Sequence, residues 1–397
     1  MNEVKDMQNK TDLSSMPCYE GLFRKTLDQM VKELGGYVNG HSHLDRAGTF
    51  DKKYFYHCGV DPADAATFSL RQKQVLMGEL HKGLAYNNSE DLRERIKTHL
   101  DLMVATGVKE IVSFIDTSPD VGLIPLGIAL ELKEQYRKKI DFRIAAYPIF
   151  GFKDDPKYSK SRWEIFEEAC KLADIIGALP EKDNRPECGG IIGEDAHFRR
   201  VINLGLELGK EVHIHVDQYN DPRQRQTLDF IEFIRRIVGE PKSYDVKPQF
   251  WAVHEISPSA YSEEAFKKVL DGSKRYHIGV KCCPKAAVGM NQLRSLNGPT
   301  RNSIARVFEM LFYGIRVEIG TDNISDIFIP TSNGSMLEEL IELAEVLRFS
   351  HMPVLAKLGA GVPINRSDEE VIRRYLETYR ETLVAANPDF KFCLDLK

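Results

Sequence analysis

The stretch EVHIHVDQYND, residues 211–221, begins as a β-strand and ends in a cluster of polar side chains. Successive side chains of a strand point to opposite faces, so His213, His215 and Asp217 share one face. Buried imidazoles and carboxylates are costly unless they have partners. We therefore expect this face to hold a group that binds them, at the carboxyl end of a buried strand.

Seven further strand-like stretches occur along the chain, and amphipathic helical stretches lie between them. They are GYVNGHSH (36–43), EIVSFID (110–116), DFRIAAYP (141–148), DIIGALP (174–180), FWAVHE (250–255), YHIGVKCCP (276–284) and RVEIGTD (316–322). Strands that alternate with helices in this way are typical of parallel sheets. Eight of them predict an α/β fold of the (β/α)8 TIM-like barrel type rather than an open doubly wound sheet.

The remaining segments are interpreted as additions to this single barrel. Residues 1–35 are predicted to be an N-terminal extension, first disordered and then helical, and residues 36–397 the barrel with its C-terminal helices. Ser367 is a plausible N-cap for the last of these helices. Residues 44–90, here called the insertion, follow the first strand, and we expect them to lie over the barrel mouth.

Composition excludes several classes of function. The chain has 397 residues and a formal net charge of −5, and it lacks a long basic run, so a nucleic-acid partner is not expected. The 7 cysteines are scattered without a C-x-x-C pair, which argues against a disulfide framework and a zinc knuckle. Neither a signal peptide nor a run of roughly 18–20 apolar residues is present, so we expect a cytoplasmic protein without a membrane partner.

Metal-binding residue types gather at the predicted strand ends, where barrel active sites are built. In chain order these residues are His41, His43, His215, His254 and Asp322. Any one of these histidines alone is more readily explained by a core hydrogen bond. Together they provide the imidazole and carboxylate ligands that Zn²⁺ or Fe²⁺ takes in hydrolases. We predict one such divalent metal, with His41, His43, His215 and Asp322 as its ligands.

A metal at this position predicts hydrolytic chemistry. It would lower the pKa of a bound water enough to supply hydroxide near neutral pH. His254 and Asp322 are then the candidate catalytic residues, because they can orient that water and relay its proton. A second metal would need a bridging group after the fourth strand, where Glu181 and Lys182 stand, and we favour one metal on the ligand count.

The ordered ligand set resembles the amidohydrolase superfamily. The resemblance is carried by H-x-H at 41–43, H-x-D at 215–217, His254 and GTDNISD at 320–326. More narrowly, five stretches are similar to the cytosine deaminase branch. They are HSHLDRAGT (41–49), FIDTSPD (114–120), IIGALP (175–180), HVDQYNDP (215–222) and TDNISDIFIPTSNGSML (321–337).

This resemblance implies a barrel with one zinc or iron ion on the predicted ligands, and His254 beside the metal-bound water. It implies hydrolytic attack at an sp2 carbon bonded to nitrogen in a small heterocycle, usually with release of ammonia. Hydrolysis of a cyclic amide or an N-alkylamine is the alternative within the superfamily. A metal-binding but catalytically idle scaffold or binding protein is the alternative outside it. A homo-oligomer stays open, because barrel hydrolases often pair.

The chain departs from the cytosine deaminase pattern in three places. Gln218 stands where relatives carry a glutamate that shuttles a proton, and glutamine has no usable pKa. Residues 148–151, PIFG, replace a turn that carries a substrate-binding glutamine in relatives. The small β-sandwich that many relatives build from both termini is expected to be absent or nearly so.

The candidate substrate-binding residues follow from these departures. Gln218 is expected to hold the substrate through its amide, and Phe150 to stack on a flat ring or else to anchor its loop. Asp116, at the end of the second strand, belongs to the same set. Lys281 and Lys285 flank the Cys-Cys-Pro turn after the seventh strand, where they either contact an anionic substrate group or are solvated.

Structural roles are predicted for two further sets of polar residues. Asp217 is interpreted as a buried partner for neighbouring backbone groups. The charges of the insertion at Arg71, Lys73, Glu79 and His81 are typical of a solvated helix face. The alternative is that some of them close over the substrate, as lids do when they exclude water from a site.

Overall fold

A computed structural model of the chain describes residues 21–184, 192–240, 250–290 and 303–396. Eight parallel strands form one sheet in chain order. They are β1 (Tyr37–Ser42), β2 (Val108–Asp116), β3 (Asp141–Tyr147), β4 (Ile175–Ala178), β5 (Glu211–Val216), β6 (Phe250–His254), β7 (Ile278–Cys282) and β8 (Val317–Ile319). Each predicted strand is present. The disorder predicted for the start of the chain falls outside the described residues.

The sheet closes on itself where β1 meets the residues that follow β8. The backbone N–H of His43 donates to Asp322 O at 3.2 Å, and the N–H of Asp322 donates to His41 O at 3.0 Å. Ser42 and Asp322 form a parallel bridge. The predicted TIM-like barrel is therefore confirmed. The described residues contain no second sheet, in agreement with the expected loss of the accessory β-sandwich.

Helices surround the barrel and cover its mouth. They are α1 (Leu22–Glu33), α2 (Pro62–Ala66), α3 (Leu70–Lys82), α4 (Leu84–Asn87), α5 (Ser89–Ala105), α6 (Ile124–Tyr136), α7 (Arg162–Leu172), α8 (Glu194–Leu208), α9 (Gln226–Val238), α10 (Glu263–Arg275), α11 (Pro284–Val288), α12 (Val307–Phe312), α13 (Met336–Val346), α14 (Met352–Ala360) and α15 (Arg366–Ala386). Short 3₁₀ helices span Lys52–Tyr54, Tyr56–Cys58, Pro180–Asn184 and Ser257–Ala260. Within the described part of the chain, no helix has both the length and the apolar character that a membrane crossing needs.

The apolar core has two parts. The larger part lies between the outer faces of the strands and the surrounding helices, and it includes Ile111, Ile214 and Phe230. The smaller part joins the barrel interior to the insertion, where Met77 of α3 belongs to the same cluster as Phe114 of β2. The apolar side chains of this second cluster are removed from water when the insertion lies over the carboxyl ends of the strands. Their burial therefore holds the insertion in that position.

The cap of the last helix lies two residues before the predicted one. Asn365 Oδ1 accepts from the backbone N–H groups of Ser367 and Asp368 at 3.0 and 3.1 Å. The Asp368 carboxylate in turn accepts from the N–H of Asn365 at 2.8 Å, which completes a capping box. The prediction of Ser367 as the cap was wrong, since Ser367 lies inside the first turn of α15.

Candidate metal centre

The predicted ligands meet inside the carboxyl end of the barrel. His41 and His43 lie on one side of β1 because Ser42, between them, turns the other way and donates from Oγ to Val112 O at 2.9 Å. His41 is 0% exposed and His43 1% exposed. His215 comes from β5, and its ring centre is 4.8 Å from that of His41. Strand alternation places these three imidazoles on the inner face of the barrel, and barrel closure places Asp322 next to them.

The distances around Asp322 match those between ligands that share one metal ion. Asp322 Oδ1 lies 3.2 Å from Nε2 of His41 and 3.3 Å from Nε2 of His43. Two ligand atoms bound tetrahedrally at about 2.0–2.1 Å are separated by about 3.4 Å. His41, His43 and His215 also form a set whose ring nitrogens all lie within 4.8 Å of one another.

The hydrogen bonding of the histidines fits a metal ion. Both ring nitrogens of His41 are buried, and neither makes a well-aligned hydrogen bond within the described residues, although an unpaired buried polar atom is costly. His215 uses Nδ1 on the carbonyl of Ala178 at 3.2 Å, and this leaves its Nε2 directed at the cluster. A backbone partner for the second ring nitrogen is the usual arrangement for a metal-binding histidine. The residues present therefore fit one divalent cation.

Electrostatics keep these groups in the protonation states that a metal requires. Burial lowers the pKa of His41 and, together with the Arg46 charge, lowers the pKa of His43 to about 3. Burial and the other imidazoles hold the pKa of His215 well below its usual range. Burial alone would raise the pKa of Asp322, but interactions with His41 and His43 hold it well below its usual range. The site thus presents neutral imidazoles and an ionised carboxylate.

His254 stands beside this cluster at the end of β6. Its Nε2 is 4.0 Å from Asp322 Oδ2, and burial lowers its pKa to about 4. The backbones of both residues are left-handed, with φ values of 78° and 55°. Such conformations are uncommon away from glycine and occur often at functional sites. They turn the chain sharply at the strand ends, where the two side chains face each other.

A cavity of about 430 Å³ opens beside the cluster. Strand ends and the insertion both contribute to its wall. The lining residues include His43, His215, His254 and Asp322 of the cluster, Gln218, Tyr147 and Ile149 of the strand ends, and Phe68, Lys73 and Gln74 of the insertion. The volume is in the range of small-molecule sites. The predicted position of the insertion over the mouth agrees with this arrangement.

Comparisons with known proteins agree with this geometry. No family model matches the chain. An uncharacterised protein of Haemophilus influenzae is 24% identical over 286 residues, which cover 72% of this chain and 93% of that protein. N-isopropylammelide isopropyl amidohydrolase of Pseudomonas sp. strain ADP is 21% identical, over 76% of this chain and 66% of its own length. The structure of 5-methylcytosine deaminase from Klebsiella pneumoniae, liganded with 5-fluorocytosine, superimposes with a TM-score of 0.65 at 21% identity, covering 85% of this chain and 81% of the other.

The resemblance to the amidohydrolase superfamily is confirmed. The chain has a TIM-like barrel similar to that of 5-methylcytosine deaminase, and the histidine-rich cluster lies where the resemblance implies a metal.

Of Gln218, Phe150 and Asp116, which were predicted to contact the substrate, only Gln218 lines the cavity. Its Nε2 is buried and has no hydrogen-bond partner among the described residues. Phe150 instead packs outside the cavity against His81, with ring centres 5.1 Å apart, and Ile149 occupies the wall. Asp116 is fully buried behind the wall, where its Oδ1 lies 3.7 Å from Nη1 of Arg46. The structure therefore gives direct access to the cavity to Gln218 and not to Phe150 or Asp116.

The two lysines after β7 have different positions. Lys281 is 1% exposed, is paired with Glu318, and places its Nζ 3.8 Å from the centre of the Trp251 ring. Lys281 lies on β7 with its side chain inside the barrel, and it is not part of the cavity wall. Lys285 is the second residue of α11, and it lines the cavity. Of these two lysines, Lys285 is therefore the one placed to contact a molecule in the cavity.

Other sequence-based interpretations can be placed directly. Asp217 accepts from the backbone N–H groups of Gln226 and Thr227 at 3.0 and 2.9 Å, so its structural role is confirmed. Glu181 accepts from Nε2 of Gln74 at 3.1 Å. Neither Glu181 nor Lys182 belongs to a metal-ligating cluster of the described residues.

A layer of polar residues behind His43 links the centre to the insertion. Asp45, which follows in the H-x-H-x-D run, and Asp116 both accept from the Tyr86 hydroxyl, at 2.9 and 3.1 Å. His81 of α3 lies between Asp116 and Asp120, with ring nitrogens 3.0 and 2.8 Å from their carboxylate oxygens. Burial alone would lower the pKa of His81, but these two carboxylates raise it to about 9. His81 is thus a buried cation, and the solvated-face interpretation was wrong for it.

Sequence reasoning missed Arg46 as a residue of the site. Arg46 is 3% exposed, lines the cavity and donates from Nε to Asn323 Oδ1 at 2.8 Å. Its signal was its place directly after the first strand, in HSHLDRAGT. Lys73 was predicted to lie on a solvated helix face, with closure over the substrate as the alternative, and it lines the cavity because α3 folds back over the barrel. That packing has no local sequence signal.

Proposed function

We propose that this chain is a metal-dependent hydrolase that attacks an sp2 carbon–nitrogen bond of a small nitrogen heterocycle, as a deaminase of the cytosine deaminase-like type. The observation that carries the proposal is the convergence of His41, His43, His215 and Asp322 beside a cavity of ring-sized dimensions, whose wall includes the last three of them. The likeness to 5-methylcytosine deaminase supports the fold on which this chemistry depends.

The cofactor that these four residues would hold is one Zn²⁺ or Fe²⁺ ion. Such an ion lowers the pKa of water towards neutrality and polarises the carbon under attack. The fit is supported by the unpartnered nitrogens of His41 and by the spacing around Asp322 Oδ1.

His254 and Asp322 are proposed as the proton-transfer pair. His254 is neutral near pH 7 because burial lowers its pKa to about 4, so its imidazole can accept a proton from the attacking water. Nε2 of His254 lies 4.0 Å from Asp322 Oδ2. A proton donor placed between the two atoms could hydrogen-bond to both. The pair can then return the proton to the leaving nitrogen.

Gln218 is proposed to position the ring. Its unpartnered Nε2 can donate to a ring oxygen or nitrogen, and the exclusion of water from the cavity strengthens such a bond. Glutamine cannot act as a general acid, so the leaving group depends on His254 and Asp322 for its proton.

Hydrolysis of a cyclic amide or an N-alkylamine is the second candidate. Gln218 favours this candidate. Because glutamine cannot donate a proton to the leaving group, the reaction would suit a leaving group that needs little protonation. The similarity to N-isopropylammelide isopropyl amidohydrolase points to the same class of reaction.

Ammonia release across a panel of amino-substituted pyrimidines, triazines, purines and cyclic ureas tests the proposal, with mass spectrometry in parallel. The metal-loaded protein should release ammonia from at least one ring, and Asp322→Asn should abolish both turnover and stable metal binding. Asp141→Asn is the matched control, because Asp141 is exposed where β3 begins, at the opposite end of the barrel.

The outcomes separate the candidate functions. A mass gain of one water without ammonia would identify a ring-amide hydrolase, and loss of an alkylamine would identify N-dealkylation. A protein that binds about one equivalent of metal through Asp322 but turns over no member of the panel would support the idle-scaffold alternative and count against the proposal.

A further inference from the structure

Basic side chains outnumber acidic ones in the wall of the cavity, although the chain as a whole has a net charge of −5. Three basic side chains line the cavity, namely Arg46, Lys73 and Lys285. Among the described lining residues the single acid is Asp322, which is committed to the metal. A bound divalent cation would add further positive charge. The wall is therefore built for a ligand that brings negative charge with it.

Arg46 is held in place without using all of its donors. Its Nε donates to Asn323 Oδ1 at 2.8 Å, and its guanidinium carbon lies 5.1 Å from the centre of the Phe328 ring. Two buried carboxylates, of Asp116 and Asp326, stand 3.7 and 3.8 Å away, beyond hydrogen-bond distance. Neither terminal nitrogen of Arg46 donates a hydrogen bond within the described residues. Nη1 is buried on the Asp116 side, which leaves Nη2 for a ligand.

The two lysines are also weakly engaged. Lys73 Nζ reaches the carbonyl of Phe328 only at 3.4 Å. Lys285 uses its backbone N–H on Glu339 Oε2 at 3.0 Å, while its ammonium group forms no ion pair in the part of the chain that the structure describes. Basic side chains that line a cavity without strong partners are suited to binding an anion.

Gln218 adds a neutral donor to the same cavity. Nε2 of Gln218 is buried without a partner. The cavity therefore offers hydrogen-bond donors from the ends of β1 and β5, from the insertion and from the turn after β7. A neutral ring rich in N–H groups, such as an aminopyrimidine, would leave several of these donors unsatisfied, at a cost in affinity.

We propose that the substrate ring carries a negatively charged oxygen, as a carboxylate or an ionised ring oxo group, and that Arg46, Lys73 and Lys285 bind it. The inference rests on the proposed function, since it names the substrate class of the same cavity. Charge-assisted hydrogen bonds of this kind change affinity by about 10- to 100-fold.

Calorimetric titration of the metal-loaded protein with three rings that lack an amino group tests this inference. Uracil is neutral, orotate carries a carboxylate, and barbiturate carries an ionised ring oxo group. At least one of the two anions should bind 10-fold or more tightly than uracil, and the preference should fall as salt is raised. Mass spectrometry after each titration checks that the ligand is intact.

Substitutions assign the preference to the basic residues rather than to the metal. Lys285→Gln, Lys73→Gln and Arg46→Gln should each reduce anion affinity by about 10-fold and leave uracil affinity within a factor of a few. Lys138→Gln is the matched control, because Lys138 is exposed between α6 and β3, at the far end of the barrel. Circular dichroism and metal content confirm that each variant is folded and loaded.

Three results would overturn the inference. Uracil could bind as tightly as both anions, or anion affinity could be insensitive to salt. Anion binding that survives all three substitutions would mean that the metal alone holds the ligand. A preference for orotate alone would identify the group as a carboxylate, and a preference for barbiturate alone as a ring oxo group. Because none of these rings requires turnover, the result is independent of whether ammonia release is found.

Discussion

Gln218 is the residue at which the chain departs most clearly from the cytosine deaminase pattern. It keeps the place in the cavity that the pattern gives to an acid, but it offers only an amide. The structure shows no acid beside it in the wall apart from Asp322, within the described lining residues. We therefore expect this position to act by hydrogen bonding rather than by proton donation.

Two substitutions of Gln218 separate these roles. Gln218→Ala should raise KM about 10-fold, because one buried hydrogen bond to the substrate is lost. Gln218→Glu should add an ionisation to the pH–rate profile, because a carboxyl group can exchange a proton and an amide cannot. Steady-state kinetics between pH 5 and pH 9 measure both effects. Unchanged profiles and KM values in both variants would remove Gln218 from the site.

Single residues were predictable where a strand end determines their position. His41 and His215 are the second-last residues of β1 and β5, His43 directly follows β1, and Asp322 lies three residues after β8. Barrel geometry brings residues at such positions together. Lys281 shows the limit of this reasoning. It and Lys285 stand four residues apart around one turn, and the face on which each lands depends on where β7 ends. The sequence does not mark that point to within a residue.

At the scale of elements, α3 is fastened to the barrel by His81. This imidazole is charged and buried between Asp116 of β2 and Asp120. The same helix presents Lys73 and Gln74 to the cavity. A shift of α3 would therefore move part of the cavity wall, and the polar contact of His81 holds that wall in register with the metal centre.

The His81 contact gives stability a defined pH dependence. The pKa of His81 rises from 6.5 to about 9 on folding, which corresponds to roughly 3 kcal/mol at most. This stabilisation is fully present below pH 6.5 and is lost as the pH rises through about 9. The carboxylate partners titrate in the opposite sense, since their hydrogen bonds to His81 help to hold the pKa of Asp120 at about 2 against the effect of burial.

Replacing His81 should reveal this window. His81→Gln should lower the unfolding temperature by several degrees at pH 7 and by much less at pH 10, measured by thermal denaturation. His57→Gln is the control within the insertion, because His57 makes only a 3.8 Å contact with Glu79 at the surface. An equal effect of His81→Gln at both pH values would show that packing, and not charge, holds α3.

The start of α15 provides a test of local sequence rules. Asn365→Ala should cost about 1 kcal/mol of unfolding free energy, because two backbone N–H groups lose their acceptor. Ser367→Ala, at the position that the sequence suggested, should cost only a few tenths. Urea denaturation of both variants measures the difference. A larger effect at Ser367 would contradict the capping box seen in the structure.

At the scale of the whole molecule, the barrel is the part of the structure that the sequence predicts best. Each of its eight strands is a short apolar run followed by a helical pattern, and the right-handed β–α–β rule leaves few other arrangements. Closure is less visible in the sequence. It depends on Gly320, which lets the chain after β8 approach His41 closely, and a single glycine is equally common in turns and helix ends.

The contact at Gly320 predicts a coupled loss of stability and metal binding. A Cβ atom at this position would lie 2.7 Å from both N and O of His41. Gly320→Ala should therefore separate β1 from the residues after β8, with a cost of about 1–3 kcal/mol and a fall in bound metal. Thermal denaturation and elemental analysis measure the two effects together.

Gly127→Ala is the matched control for this substitution. Gly127 lies within α6, and a Cβ atom there would meet no heavy atom within 4 Å. This variant should be more stable by about 0.5–1 kcal/mol, since alanine favours helices, and its metal content should not change. Normal metal content in Gly320→Ala would show that the seam of the barrel tolerates a methyl group.

The seam between β1 and the residues after β8 joins the beginning of the barrel to its end, and the ligands are divided across it. A chain emerging from the ribosome presents His41 and His43 early, but the carboxylate of Asp322 arrives only after the last strand has been made. No product that ends before Asp322 can assemble all four proposed ligands. Firm retention of an ion would therefore show that all eight strands have been made and that the barrel around the candidate centre has closed.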